Sequence, residues 1–293
     1  MNVGVTGAGG FIGRHLVRRL VARGDRVVAF RRDPSAVAPP GVEVRAFHMP
    51  DGIDPGDFAG LDVVVHGALV EYGPDARDAD RVNDEGARRV IAAAREHGAW
   101  VVFLSTLSAH AGATSHYGRS KLALEGRFDP VRDAVLKLGL VLGDGGLFGG
   151  MASLLRGARV VPLPGGGRQP IQVLWMGDLE DAVLAAIDRR ATGTFAVAHP
   201  EVRTMRELYA TVAHGLGVKP VFVPVPLALV EAGAMLLEAL SVPFPIRREN
   251  VLGLKQLRAF DTAPSMAALG IAHPVGLDEA VRRLFTAGRE RNG

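Results

Sequence analysis

Thr6-Gly7-Ala8-Gly9-Gly10-Phe11-Ile12-Gly13 follows directly on Met1-Asn2-Val3-Gly4-Val5. An apolar strand thus runs into a glycine turn and then into an amphipathic helix. Ile12, Leu16 and Leu20 form one stripe of that helix, while Arg14, Arg18, Arg19 and Arg23 face away. This order suits the pyrophosphate of a dinucleotide. Gly7 permits the tight turn, Gly10 lets backbone N–H groups approach the phosphates, and Gly13 lets the helix pack on the strand. The helix N-terminus favours the negative charge. In a chain with 37 glycines the spacing alone would say little; the strand before it and the helix after it carry the reading.

Working outward, strand and helix patterns alternate. Strands are predicted at 2–6, 26–30, 42–47, 62–66, 99–105 and 134–138, and helices at 11–23, 79–97 and 115–127. This rhythm predicts an α/β fold, a doubly wound parallel sheet of the Rossmann type with a smaller C-terminal substrate lobe. The NAD(P)-binding domain is expected at 1–160. The lobe is expected mainly at 161–293, with segments at about 170–190 returning to the sheet. Past residue 143 the rhythm loosens. Gly143 to Gly150 holds five glycines, Pro162 to Gly167 reads as a turn-rich loop, Pro170–Leu174 as a strand and Asp178–Arg190 as a helix.

With 293 residues, 48% of them hydrophobic, the chain can bury a large core. It has no cysteine, so disulfides and thiolate metal sites are excluded, and nine histidines without ligand spacing imply no metal. The net charge is only +3 and no basic stripe is interleaved with aromatics, so nucleic acid is not an expected partner. The first strand begins at residue 2, and no signal peptide is expected. The most apolar stretch, 221–240, is broken by Pro224, Pro226, Glu231 and Glu238. It is too interrupted to span a bilayer. Within it a helix over 226–240 is expected to pack on the core or line a cleft rather than touch a membrane, because its polar face lacks lysine and arginine. A soluble cytoplasmic protein with a small-molecule substrate follows.

Tyr117 and Lys121 stand four residues apart on one helix face. A phenol is a weak acid–base group at neutral pH, but a nearby ammonium favours the phenolate. Tyr117 can then exchange a proton with a carbonyl or alcohol while a nicotinamide cofactor exchanges hydride. A third group must hold the substrate oxygen. The strand over 99–105 ends in Ser105-Thr106-Leu107-Ser108, and any of the three hydroxyls qualifies. After the second strand, Arg31 and Arg32 suit the 2′-phosphate of NADP(H) better than the bare ribose of NAD(H), while Asp33 is read as opening a turn with Pro34. NADP(H) is therefore favoured over NAD(H). His66 is read as a buried spacer at a strand end, His110 and His116 as solvated loop residues, and Trp175 and Met176 as core.

Taken together, these residues resemble the short-chain dehydrogenase/reductase superfamily, in its extended and atypical branch, the NAD-dependent epimerase/dehydratase family. Thr-Gly-x-x-Gly-x-x-Gly stands at 6–13, His-x-Ala at His66 and Ala68, the helical Asn and Gly at Asn83 and Gly86, Ser-Thr at Ser105 and Thr106, and Tyr-x-x-x-Lys at Tyr117 and Lys121. Met176–Ala182 and Phe260–Gly270 resemble later segments of the same family. The resemblance implies a catalytic set of Thr106, Tyr117 and Lys121. It also implies a cofactor set of Gly7, Gly10, Phe11, Ile12, Gly13, Arg31, Arg32, His66, Ala68, Asn83, Ser105, Tyr117 and Lys121. A homodimer paired through the helices at 79–97 and 115–127 is implied as well, with Val90, Ala94, Leu122 and Ala123 at that surface or in the core beneath it. The chain departs from the pattern at Lys137-Leu138-Gly139, where the family often has Arg-Pro-Gly. It departs again after the third strand, where His48 or Asp51 stands near the family's Asp.

Three functions compete. The first is an NADP(H)-dependent oxidoreductase acting on a carbonyl or secondary alcohol. The second is a nucleotide-sugar epimerase with tightly held NAD(P), its diphosphate met by Arg203, Arg247 and Arg248. A dehydratase is disfavoured because Leu107-Ser108 stands where that subtype needs carboxylates. The third is a non-catalytic cofactor-binding protein, against which the intact Thr106, Tyr117 and Lys121 set weighs.

Overall fold

Val63, Val64 and Val65 show how the sheet is built. They lie in β4 (Val63–His66) and all three are fully buried. Val63 and Val65 join one apolar core and Val64 joins another. A strand apolar on both sides needs cover on both sides, which is the condition of parallel sheets. The computed structural model, which describes residues 1–70, 78–239 and 248–290, supplies that cover. The first core includes Leu16, Val17 and Leu20 of α1 (Phe11–Arg23) and Leu179, Val183 and Ile187 of the helix Met176–Arg189. The second includes Val90 and Ala94 of α2 (Ala79–Glu96) and Leu124 of α3 (His116–Glu125).

The other strands are β1 (Asn2–Thr6), β2 (Arg26–Arg31), β3 (Glu43–Ala46), β5 (Trp100–Thr106) and β6 (Ala134–Leu138). With Gly193–Val197 they form a seven-stranded sheet in the order β3-β2-β1-β4-β5-β6 and then Gly193–Val197, paired in parallel throughout. The chain winds one way from β1 to β2 and β3, and the other way from β4 onward. The crevice where the direction changes lies between the carboxyl ends of β1 and β4, which is where such sheets bind ligands.

The expected strands and helices over 2–138 all appear, with ends that differ by at most two residues. The later segments differ more. The expected strand over 170–174 is two short ones, Pro170–Ile171 antiparallel to Arg203–Thr204 and Val173–Trp175 parallel to Leu140–Leu142. The break falls at Gln172, whose buried amide bonds His199 O, Phe260 O and Phe260 N and so ties three segments together. The glycine-rich stretch from 143 opens a helix, Gly146–Gly157, and Pro162 sits inside a strand, Val160–Pro164, paired in parallel with Val221–Val225. These elements build a third core around Leu142, Phe148, Leu155, Val161, Leu163 and Leu208. Val90 and Ala94 are fully buried, which places them in the core, whereas Ala123 is exposed. Trp175 is half-buried against the third core, and Met176 is buried at the start of the helix Met176–Arg189.

Candidate active site

The glycine loop is set by close approach. Gly7 has φ +72°, and a Cβ there would lie 2.9 Å from the backbone of Gly67 and Ala68. At Gly13 a Cβ would lie 2.1 Å from Gly7 O, so α1 packs on the turn as no other residue would allow. Gly10 caps α1 with no side chain, leaving the first-turn N–H groups of the helix to an outside acceptor. Phe11 at the start of α1 is cradled by Gly143, Gly145 and Gly146, where a Cβ would come within 2.7–2.8 Å of its ring. That is the physical use of a glycine run whose purpose the sequence left unexplained.

Across the crevice, Thr6 Oγ1 lies 2.8 Å from His66 Nδ1 and accepts from Ala68 N–H at 3.2 Å. The two strand ends are stitched together through these bonds. His66 is buried and stacks on Phe103, and burial, with Lys121 nearby, pushes it down to about 3. Burial thus favours its neutral form. Asn83 bonds both backbone groups of Val70, accepting from its N–H at 2.8 Å and donating to its O at 3.0 Å. The loop leaving β4 is thereby tethered to α2.

On α3, Ser115 caps the helix by accepting from Gly118 N–H at 3.1 Å. Tyr117 is exposed, while Lys121 one turn later is buried. Lys121 Nζ donates to Leu104 O at 3.1 Å and sits 4.8 Å from the centre of the Phe103 ring. Burial lowers the Lys121 ammonium to about 8, and Glu125 pulls it back toward the charged form. Thr106 lies half-buried at the end of β5, and its Oγ1 accepts from Ser108 N–H at 3.2 Å.

Ser105 is turned inward. It donates to Glu125 Oε1 at 2.5 Å, and Glu125 Oε2 pairs with Lys137 Nζ at 2.8 Å. Lys137 also donates to Ala109 O. The lysine at the departure from the family pattern therefore pairs with a half-buried carboxylate and holds the loop after β5. Removing one partner would leave the other, half-buried charge without its ion pair. Glu125 escaped the sequence reading, although 117, 121 and 125 fall on one helical stripe.

Gln256 was also missed. It is buried, and its Oε1 accepts from the N–H groups of Thr114 and Ser115 while its Nε2 donates to Ser115 Oγ. It clasps the loop that presents Tyr117. No local signal marks it, since it comes from 141 residues away. His110 is not the solvated loop residue expected. It is buried against Phe260, with Nε2 3.2 Å from Gln256 O, because the same segment closes over it. His116 is half-buried and pairs with Asp80 at 2.6 Å.

At the end of β2, Arg31 Nη1 donates to Ala36 O and Val37 O at 3.2 and 3.0 Å, and its Nε lies buried without a protein partner. Arg32 is exposed. Asp33 accepts from the N–H and hydroxyl of Ser35, which pull its carboxyl below the ordinary range. It is thereby engaged in the turn that the sequence implied. Of the arginines assigned to a sugar diphosphate, Arg203 is taken by Glu201 and Asp278 at 2.9 and 3.0 Å. Arg247 lies outside the described residues, and of Arg248 only its place at the start of a helix is described.

Fold and crevice define a dinucleotide-binding α/β protein with a Tyr–Lys helix beside its strand ends. The chain belongs to the NAD-dependent epimerase/dehydratase family, a family of NAD(P)-dependent enzymes, whose model matches residues 3–133. It is 30% identical to a dTDP-6-deoxy-L-talose 4-dehydrogenase (NAD(P)(+)) from Kitasatospora kifunensis, over 97% of this chain and 95% of that one. It is 38% identical to a ceramide reductase from Caulobacter vibrioides over 137 residues, which span 45% of this chain and only 42% of that relative. Among solved structures it resembles human epimerase family protein SDR39U1 with NADPH, at TM-score 0.75 and 20% identity, covering 98% of this chain and 99% of that one. Among the described residues no helix is long and apolar enough to cross a membrane, and no group of His, Asp and Glu is placed to hold a metal.

Proposed function

We propose that the protein is an NADP(H)-dependent oxidoreductase that interconverts a carbonyl and a secondary alcohol. The observation that carries this reading is the buried Lys121 ammonium one helical turn from an exposed Tyr117, both beside the end of β5. The residues present fit a dinucleotide. A glycine cradle that any Cβ would fill faces an uncapped helix N-terminus, and Arg31 keeps a buried Nε without a protein partner.

In this reading Gly7, Gly10, Phe11, Ile12, Gly13 and Ala68 hold the pyrophosphate side, and Arg31 and Arg32 take the 2′-phosphate. His66, Asn83 and Ser105 shape the site through Thr6, Val70 and Glu125. The bound nicotinamide supplies or accepts the hydride. Tyr117 Oη holds the proton that passes to or from the substrate oxygen, Lys121 anchors the ribose and favours the phenolate, and Thr106 Oγ1 donates to the same oxygen. Asp33 is spent on Ser35, which supports NADP(H) over NAD(H). The two relatives' names, a dehydrogenase and a reductase, both denote net redox, and Arg203's ion pairs leave it ill placed for a sugar diphosphate. Net reduction therefore stands ahead of epimerisation. The same proposal keeps the nucleotide domain at 1–160, the lobe mainly at 161–293, and a homodimer through α2 and α3 in the cytoplasm.

The test is Tyr117→Phe, assayed by NADPH consumption on a panel of aldehydes, ketones and nucleotide sugars. Turnover should fall about 10²–10⁴-fold with cofactor binding near native. Thr106→Val should cost more turnover than Ser105→Ala or Ser108→Ala. Undiminished turnover in Tyr117→Phe overturns the mechanism.

A further inference from the structure

Glu125 stands one helical turn after Lys121 on the same stripe of α3, and consecutive residues of β5 hold the two side chains. Leu104 O accepts from Lys121 Nζ at 3.1 Å, and Ser105 Oγ donates to Glu125 Oε1 at 2.5 Å. Lys121 is buried and Glu125 half-buried, so each feels the other's charge more than it would at the surface. Glu125 also meets a second lysine. Lys137 Nζ of β6 donates to its Oε2 at 2.8 Å and to Ala109 O. The chain has four lysines, and two of them stand about this one carboxylate.

The other charges around α3 are engaged elsewhere. On α2, Asp80 pairs with His116, and Asp84 pairs with Arg88 and Arg127. On the helix Arg248–Lys255, Lys255 pairs with Glu231. β5 offers the Phe103 ring, and β4 offers His66, whose neutral form burial favours. Tyr117 completes the set on α3 itself. Burial works against the Lys121 ammonium and holds it at about 8, so little separates it from loss of its proton near neutrality.

We propose that Glu125 is a positioning residue of the site, whose carboxylate keeps Lys121 charged beside Tyr117, and that Lys137 sets how strongly it does so. Ser105 holds the carboxylate in place, while Lys137 draws on the same negative charge that steadies Lys121. This rests on the reading of Lys121 as the ammonium that serves the phenol and the ribose. The network then fixes the alkaline limit of cofactor binding and turnover.

The test is direct titration of Lys121 in the full chain labelled with [¹³Cε]lysine, whose Cε shift follows the ammonium. Four lysines make assignment by single substitution simple. Glu125→Gln should lower the Lys121 midpoint and Lys137→Met should raise it, each by about half a pH unit or more, a change of about threefold in proton affinity. Lys137→Arg keeps a charge that cannot be lost and should bring the midpoint back near native. A midpoint that stays in place, or that moves the same way in Glu125→Gln and Lys137→Met, overturns the proposal and leaves the network as a brace for the loop after β5. If Glu125→Gln fails to fold, the Lys137 pair decides alone: a rise in Lys137→Met undone in Lys137→Arg supports the proposal, and no rise overturns it. NADPH titrations across the same pH range separate the two readings. The alkaline loss of affinity should follow the Lys121 midpoint in each variant. If the midpoint moves and NADPH binding does not follow, the role of Lys121 toward the ribose fails, while the hold of Glu125 on Lys121 stands.

Discussion

Two parallel pairings in this molecule are treated in opposite ways. β1 lies beside β4 with helices over both faces, and Val3, Val5, Val63, Val64 and Val65 are buried. Val160–Pro164 lies beside Val221–Val225 with one face packed and the other bare. The first arrangement is the ordinary one for parallel strands. It makes the crevice rigid: the ends of β1 and β4 are fixed by Thr6, His66 and two backbone bonds, and the glycine loop is fixed against them. The second leaves side chains that contribute little to folding and are free to serve contact. The two lessons predict different responses to the same chemical change.

The largest response is expected at His66, deep in the covered sheet. Burial holds it at about 3, well under the 6.5 of an exposed histidine. The unfolded chain therefore binds a proton between those values that the folded chain does not, and stability present above pH 6.5 is lost as pH falls toward about 3. The slope is about 1.4 kcal/mol per pH unit. In His66→Gln that contribution is absent. The difference in unfolding free energy between the native protein and the variant should shrink by that slope as pH falls through the window, as read by urea unfolding. A difference constant with pH would mean that His66 is accessible to protons, and the covered crevice would not be as closed as its packing implies.

A smaller effect is expected where the covered sheet meets solvent, at the end of β2. Arg31 is already braced on Ala36 O and Val37 O, so little ordering remains to be done on binding. Changing Arg31 and Arg32 to Ala should weaken NADPH relative to NADH by about 1–3 kcal/mol, measured by fluorescence titration. Equal loss of both cofactors would remove the NADP preference.

Legibility in the sequence followed the same division. The inner strands over 2–138 announce themselves because they are buried on both faces and flanked by helices with a clear period, and Gly7, Gly10 and Gly13 carry their own steric logic. Tyr117 and Lys121 were readable because they share one helix. Glu125 and Gln256 were not, because a half-buried pair with Lys137 and a clasp on Ser115 exist only once distant segments meet. The ribbon strands were hidden by Pro162, which reads as part of a turn-rich loop, and by Pro224, which reads as a break in an apolar stretch; both are tolerated where strands pair at an edge. The helix at 227–239 was found, but not which way it faces, since its largely apolar sequence gives only a weak period to read.

The finest test of the comparison places one substitution in both regions. Val65→Thr exchanges a methyl for a hydroxyl at a fully buried position of β4. The hydroxyl has no apolar-core partner there, and the cost should be about 1–3 kcal/mol. Val221→Thr makes the same exchange where the side chain is 61% exposed. Threonine suits a strand as valine does, the hydroxyl stays in water, and the change should lie within about 0.5 kcal/mol of zero. Urea midpoints at unchanged m-value read both. If Val221→Thr proved as costly as Val65→Thr, the ribbon's outer face would be covered in solution. A second copy of the chain would then be its occupant, and the cost would rise with protein concentration as folding became tied to association.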